Sequence, residues 1–139
     1  MKNIVLFFVV ALSLNFSKVE NPNLSLLITR TVAIDSMTQK IILRVKNTSN
    51  KEIKFLTWSC SNTELFVTNN DELVILKFPC DKNSSEIVKL PAGKSKTFTI
   101  EVKKAKREIS KFKIGFLCVE IPETKMTRTS EIWSKEIQF

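Results

Sequence analysis

At 139 residues the chain has room for one domain and a modest core, but not for two. Hydrophobic residues make up 43% and charged residues 26%, a balance that excludes both a disordered chain and a multi-span membrane protein, and the net charge is +8. With no histidine, no tyrosine and two glycines, the chain has no imidazole base, no histidine metal ligand and no glycine-rich phosphate loop.

Lys2 precedes an unbroken apolar run over residues 4–12 (IVLFFVVAL). A run this short has the length of a signal-peptide core, well under the ~20 residues needed to cross a bilayer. Residues 1–17 are therefore expected to be a signal peptide, cleaved between residues 13 and 18, leaving a single domain over 18–139. The first cysteine after the run is Cys60, so a bacterial lipid anchor is not available. The mature protein is expected in the periplasm or outside the cell, with no transmembrane segment.

From Leu24 onward, β-branched and aromatic segments alternate with Asn, Ser, Asp, Pro and Lys clusters every ten or so residues, the pattern of an all-β sandwich. Strands are predicted at 24–34, 39–46, 52–58, 64–68, 73–78, 86–90, 95–103, 111–121 and 129–139. The turns 47–50, 69–71 and 91–93 carry Asn and Gly, which tolerate positive φ, and Pro, which presets a first turn position. Alternation sets Ile41, Leu43 and Val45 against Lys40, Arg44 and Lys46. It likewise sets Phe98, Ile100 and Val102 against Thr97, Thr99, Glu101 and Lys103, and it turns Phe112, Ile114, Phe116 and Cys118 inward. Such alternation predicts antiparallel sheets stacked on a shared core. The expected fold is thus all-β, an immunoglobulin-like antiparallel sandwich of about eight strands after the signal peptide. Leu117 and Val119 are apolar on the outward parity, so either a neighbouring segment covers them or they form a contact patch.

Export places three cysteines in an oxidising compartment, where two usually pair. Cys118 sits on the inward parity beside Phe116 and reads as a small buried hydrophobe. Cys60 and Cys80 bracket one excursion of the chain, and their pairing is expected to contribute about 3 kcal/mol. Trp58, next to Cys60, is expected to pack against that bond. No metal site is expected, because three cysteines without histidine or C-x-x-C spacing do not make one.

The segments LRVKNTSNKEIKF (43–55), LFV (65–67) and VKLPAGKSKTF (88–98) resemble small bacterial immunoglobulin-like sandwiches, and WSCS (58–61) with CDKN (80–83) and FKIGF (112–116) resembles exported proteins built on such a sandwich. More weakly, the first three segments resemble the bacterial intracellular proteinase inhibitor domain. There a strand, an Asn-rich turn and a second strand precede a Leu-x-Pro-Gly-x-Ser turn. The chain departs from that domain in having Pro91-Ala92-Gly93, an export signal and two added cysteines. The resemblance implies the sandwich, and it suggests protease inhibition by a presented loop only as an alternative function. No inhibitory residue carries over.

Between Lys94 and Lys113 there are eight basic residues against Glu101 and Glu108. If 95–103 and 111–121 form a hairpin, Lys103, Lys104, Lys106, Arg107, Lys111 and Lys113 make a basic knob at its end. These six are the candidate anion contacts, the partner being an anionic envelope polymer, anionic lipid or acidic glycan, or another protein. Nucleic acid is disfavoured by export and by the lack of interleaved aromatics. A domain this small seldom has a cleft in which Asp71, Glu72, Asp81 and Glu86 would work as paired carboxylates, and no serine sits in a nucleophile motif. Sequons at Asn23, Asn47 and Asn83 matter only in a source that glycosylates. The expected function is a non-enzymatic, exported binding or envelope-associated module with no cofactor.

Overall fold

A computed structural model describes residues 21–123 and 126–139. The expected signal peptide, 1–17, lies outside the described residues. Within them the chain forms eleven strands and one 3-10 turn: β1 (Leu24–Ala33), β2 (Thr38–Asn47), β3 (Ile53–Trp58), η1 (Thr63–Leu65), β4 (Phe66–Thr68), β5 (Leu73–Ile75), β6 (Ser85–Leu90), β7 (Ser95–Lys104), β8 (Lys111–Phe112), β9 (Ile114–Glu120), β10 (Arg128–Trp133) and β11 (Ile137–Gln138). One sheet has the order β1-β2-β7-β5, a second the order β10-β9-β3-β6 with β4 also paired to β9, and β11 and β8 form a two-stranded ladder. All pairings are antiparallel. The expected immunoglobulin-like sandwich is the observed class, with more and shorter strands than the eight expected.

The core follows the predicted alternation. Ile41, Leu43, Val45, Ile100, Val102, Ile114, Phe116 and Cys118 are all at most 1% exposed. Four rings join the sheets: Phe98 from β7 meets Phe66 and Phe116 at centroid separations of 5.5 and 5.6 Å, and Phe55 meets Phe116 edge-on at 5.9 Å. Such edge and tilted contacts add to the burial of large apolar surface.

Two long predicted strands each break in two. β9 pairs β10 with Trp133 opposite Gly115, whereas β8 pairs β11 with Ile137 opposite Phe112, so the ladder slips by one residue at 134–136. Ser134 occupies the slip, its Oγ accepting from the Ile114 amide at 3.1 Å and its own amide donating to the Ile114 carbonyl at 2.8 Å. An extra residue in one strand of a pair bends it locally, which period-2 reading cannot see.

The asparagine turns work differently from expectation. Among the described residues only Gly93 has positive φ, at 71°. Asn side chains instead accept from an amide two residues on, as in Asn47 Oδ1 with Ser49 at 2.9 Å and Asn70 Oδ1 with Glu72 at 2.9 Å. Asn47 goes further. Fully buried, its Nδ2 donates to the carbonyls of Lys51 at 2.7 Å and Leu90 at 2.8 Å, while its backbone carbonyl accepts from Gly93 at 3.0 Å. It thereby ties the KNTSN turn to the LPAGK turn.

Candidate interaction surfaces

Cys60 and Cys80 are joined, as expected, with their Cα atoms 6.2 Å apart. Asn83 holds the two loops together: its Oδ1 accepts from the amides of Cys60 and Ser61 at 3.2 and 3.3 Å, and its Nδ2 donates to the Ser61 carbonyl at 3.0 Å. Cys118 is free and fully buried, and burial, reinforced by the Glu120 carboxylate, pushes its thiol up to about 12. Trp58 packs on the core cluster, and its backbone is bracketed by the Asn62 side chain.

The basic hairpin does not form. β7 pairs β2 and β5, whereas β8 pairs β11 and β9 pairs β10, so the 105–110 segment carries the chain from one sheet to the other. Three of the six candidate cations are engaged internally. Lys104 is 9% exposed, with Nζ 3.4 Å from the Arg107 and Ile109 carbonyls and 4.3 Å from the centre of the Phe139 ring. Lys106 pairs with Glu72, and Lys111 with Glu136 at 3.1 Å. Among the described residues, Arg107 and Lys113 make no ion pair, while the Asp35 carboxylate, held below its ordinary pKa mainly by the Met37 amide, is lowered further by Lys103. Lys103 belongs to the outer face of β7, opposite Thr38. The parity of Lys104 explains the difference: one step past Lys103, it points inward, opposite Leu73.

The four carboxylates separate into different roles. Glu72 is spent on Lys106, Glu86 lies on β6 opposite Thr57, and Asp71 and Asp81 lie outside the strands. Of the sequons, Asn47 and Asn83 have their amide nitrogens committed to backbone carbonyls.

The two outer sheet faces are chemically unlike. On the five-stranded sheet an apolar patch holds part of the outward face, Leu56 opposite Ile87 with Leu117 and Val119, bordered by the polar outward residues Glu131, Thr129, Ser85 and the pair Lys54 and Lys89. Ile87 is 57% exposed, while Leu56, Leu117 and Val119 are half-buried. Val67, Gly115 and Trp133 form one row across β4, β9 and β10. A Cβ on Gly115 would lie 2.8 Å from Val67 and 3.0 Å from the Trp133 ring, so glycine is what lets the indole lie on the sheet. The Trp133 Nε1 donates to Glu131 at 3.2 Å. On the four-stranded sheet the outward face is richer in charge, with Lys40, Arg44, Lys46 and Lys103 and the hydroxyls of Thr97 and Thr99, beside the aliphatic Leu27, Val32, Ile42 and Val74.

No protein-family model and no curated protein matches the chain. Among solved structures it is similar to a FixG-related protein from Vibrio parahaemolyticus, at 9% identity and TM-score 0.38, covering 80% of this chain and 92% of that one. It is also similar to the N-terminal domain of PorA, at 17% identity and TM-score 0.37, covering 81% and 87%. A third likeness is a protein from Archaeoglobus fulgidus, at 12% identity and TM-score 0.35, covering 84% and 93%. These comparisons give no support to the protease-inhibitor alternative, and at such scores they carry no argument about what the chain does.

Proposed function

We propose that the chain is an exported, non-enzymatic binding module that meets another protein through the apolar outer face of its five-stranded sheet. The observation that carries this reading is the row of apolar residues at outward strand positions: Leu56, Ile87, Leu117, Val119 and Trp133. A sheet with one face in water alternates apolar with polar, as β2 and β7 do here; apolar residues on both faces mark a sheet whose second face is also covered. The Cys60–Cys80 bond supports a place of work in an oxidising compartment.

The test is size. Gradient sedimentation of the exported fraction from the source is expected to show the wild-type chain in a particle larger than the purified protein alone. The double variant Leu117→Lys, Val119→Lys is expected to run at the size of the purified protein while keeping its circular dichroism. A folded double variant that stays in the larger particle overturns the reading.

A further inference from the structure

The outer face of the four-stranded sheet is built by register and by one irregularity. Lys46 stands opposite Ser95, Arg44 opposite Thr97, Ile42 opposite Thr99 and Lys40 opposite Glu101. On the other side of β2, Leu27 faces Arg44. A bulge then intervenes between Ile28 and Arg30, its Thr29 hydroxyl donating to the Ile42 carbonyl at 3.0 Å. Without that extra residue Arg30 and Val32 would point inward. With it they fall opposite Ile42 and Lys40, on the same face as Arg44.

The face therefore gathers Arg30, Lys40, Arg44, Lys46 and Lys103 against Glu101 and, in the adjoining turn, Asp35, a net +3 of the chain's +8. Lys40 is paired with Glu101 at 3.5 Å. Arg30, Arg44 and Lys46 are exposed, and no carboxylate among the described residues pairs with them. Arg44 and Lys46, two residues apart on one strand, are about 6.7 Å from each other along it, with Arg30 diagonal to Arg44. Exposed aliphatic side chains share the face: Leu27 and Val32 at the β1 edge and Val74 at the β5 edge, with Ile34 in the adjoining turn.

We propose that this face docks on the surface of an anionic lipid bilayer, with Arg30, Arg44 and Lys46 over the headgroup phosphates and Leu27 and Val32 at the headgroup boundary. Charge complementarity selects an anionic occupant. The exposed aliphatic residues select a bilayer over a dissolved polyanion, because only a bilayer gives apolar side chains somewhere to go. The lack of outward aromatic rings on its strands fits a surface rather than a threaded sugar chain. The protein-binding face proposed above lies on the opposite sheet, so either proposal can fail without the other.

The test is co-sedimentation of the purified chain with vesicles of phosphatidylcholine alone or mixed with phosphatidylglycerol. Binding to the mixed vesicles only is expected, weakening as salt shortens the Debye length. Neutralising Arg30, Arg44 and Lys46 together to Gln is expected to lower partitioning roughly 100-fold, at about fivefold per basic residue. Arg44→Gln alone gives the fivefold step should the triple variant misfold, and Leu27→Ser with Val32→Ser is expected to weaken binding further. Lys106→Gln and Lys111→Gln, whose charges are spent elsewhere, are expected to bind like wild type. Unchanged partitioning of the folded triple variant overturns the proposal. So does equal loss in the Lys106 and Lys111 variants, or binding to soluble polyphosphate as tight as to the mixed vesicles.

Discussion

Replacing Asn47 tests the reading of how the two turns are joined. In Asn47→Ala the carbonyls of Lys51 and Leu90 lose a donor and the Ser49 amide loses an acceptor, all at a fully buried side chain, while the Ser49 hydroxyl, which also reaches Asn47 Oδ1, keeps the Lys51 carbonyl as its acceptor. At about 1 kcal/mol for each partner left unmade, the expected loss is about 3 kcal/mol, or a melting point lower by about 12 °C for a domain of this size. Asn47→Asp sharpens the test. It keeps the shape but turns a second acceptor toward two carbonyl oxygens, so the folded protein holds that carboxyl protonated and its pKa rises above the unfolded value. A raised folded pKa stabilises fully below the unfolded value of about 3.9 and is lost as pH rises, so the deficit should grow by about 1.4 kcal/mol per pH unit above that point. The Asn47→Ala deficit should not depend on pH. Urea unfolding followed by the fluorescence of Trp58 and Trp133 measures both. A loss below about 0.5 kcal/mol in Asn47→Ala, within the range of ordinary surface changes, would refute the reasoning, as would a deficit in Asn47→Asp that stays flat with pH.

Lys104→Glu is expected to destabilise by about 2 to 4 kcal/mol, because it sets a buried carboxylate against two carbonyls and the face of Phe139, whereas Arg107→Glu should be near neutral. Equal, small effects in chemical denaturation would return Lys104 to the solvent. Gly115→Ala should cost about 1 to 3 kcal/mol and shift the Trp133 emission, since the new methyl meets Val67 and the indole. The raised Cys118 thiol predicts alkaline loss: stability attributable to it is complete below the ordinary thiol value of 9.0 and falls as pH rises toward about 12. Cys118→Ala should therefore lose less on going from neutral to alkaline pH than wild type, read from denaturation midpoints at each pH.

The core was legible because alternation is a local property. Ile41, Leu43, Val45, Phe98, Ile100, Phe116 and Cys118 could be turned inward from sequence alone, and the buried Cys118 left Cys60 and Cys80 to pair. Pairing partners were not legible, because two strands adjacent in sequence can join either sheet. The 95–103 and 111–121 segments look like a hairpin until the sheet order assigns them to different layers. That error carried the basic cluster with it, placing Lys104 at a tip when it lies under Phe139. The bulge at Thr29 was equally invisible, and with it the outward turn of Arg30 beside Arg44. The Leu117 and Val119 parity break was a usable signal, and their half-buried setting among Ile87, Leu56 and Trp133 extends it into a face.

The most direct measurement of the proposed function is a crosslinking map made on protein in the exported fraction of its source. A photoreactive residue placed at Ile87 or Leu117 should give one discrete adduct with another protein, and the same residue at Thr97, exposed on the outer face of the other sheet, should give none. A map with no adduct from Ile87 or Leu117, or with the same adduct from Thr97, would contradict a binding module that works through its five-stranded sheet.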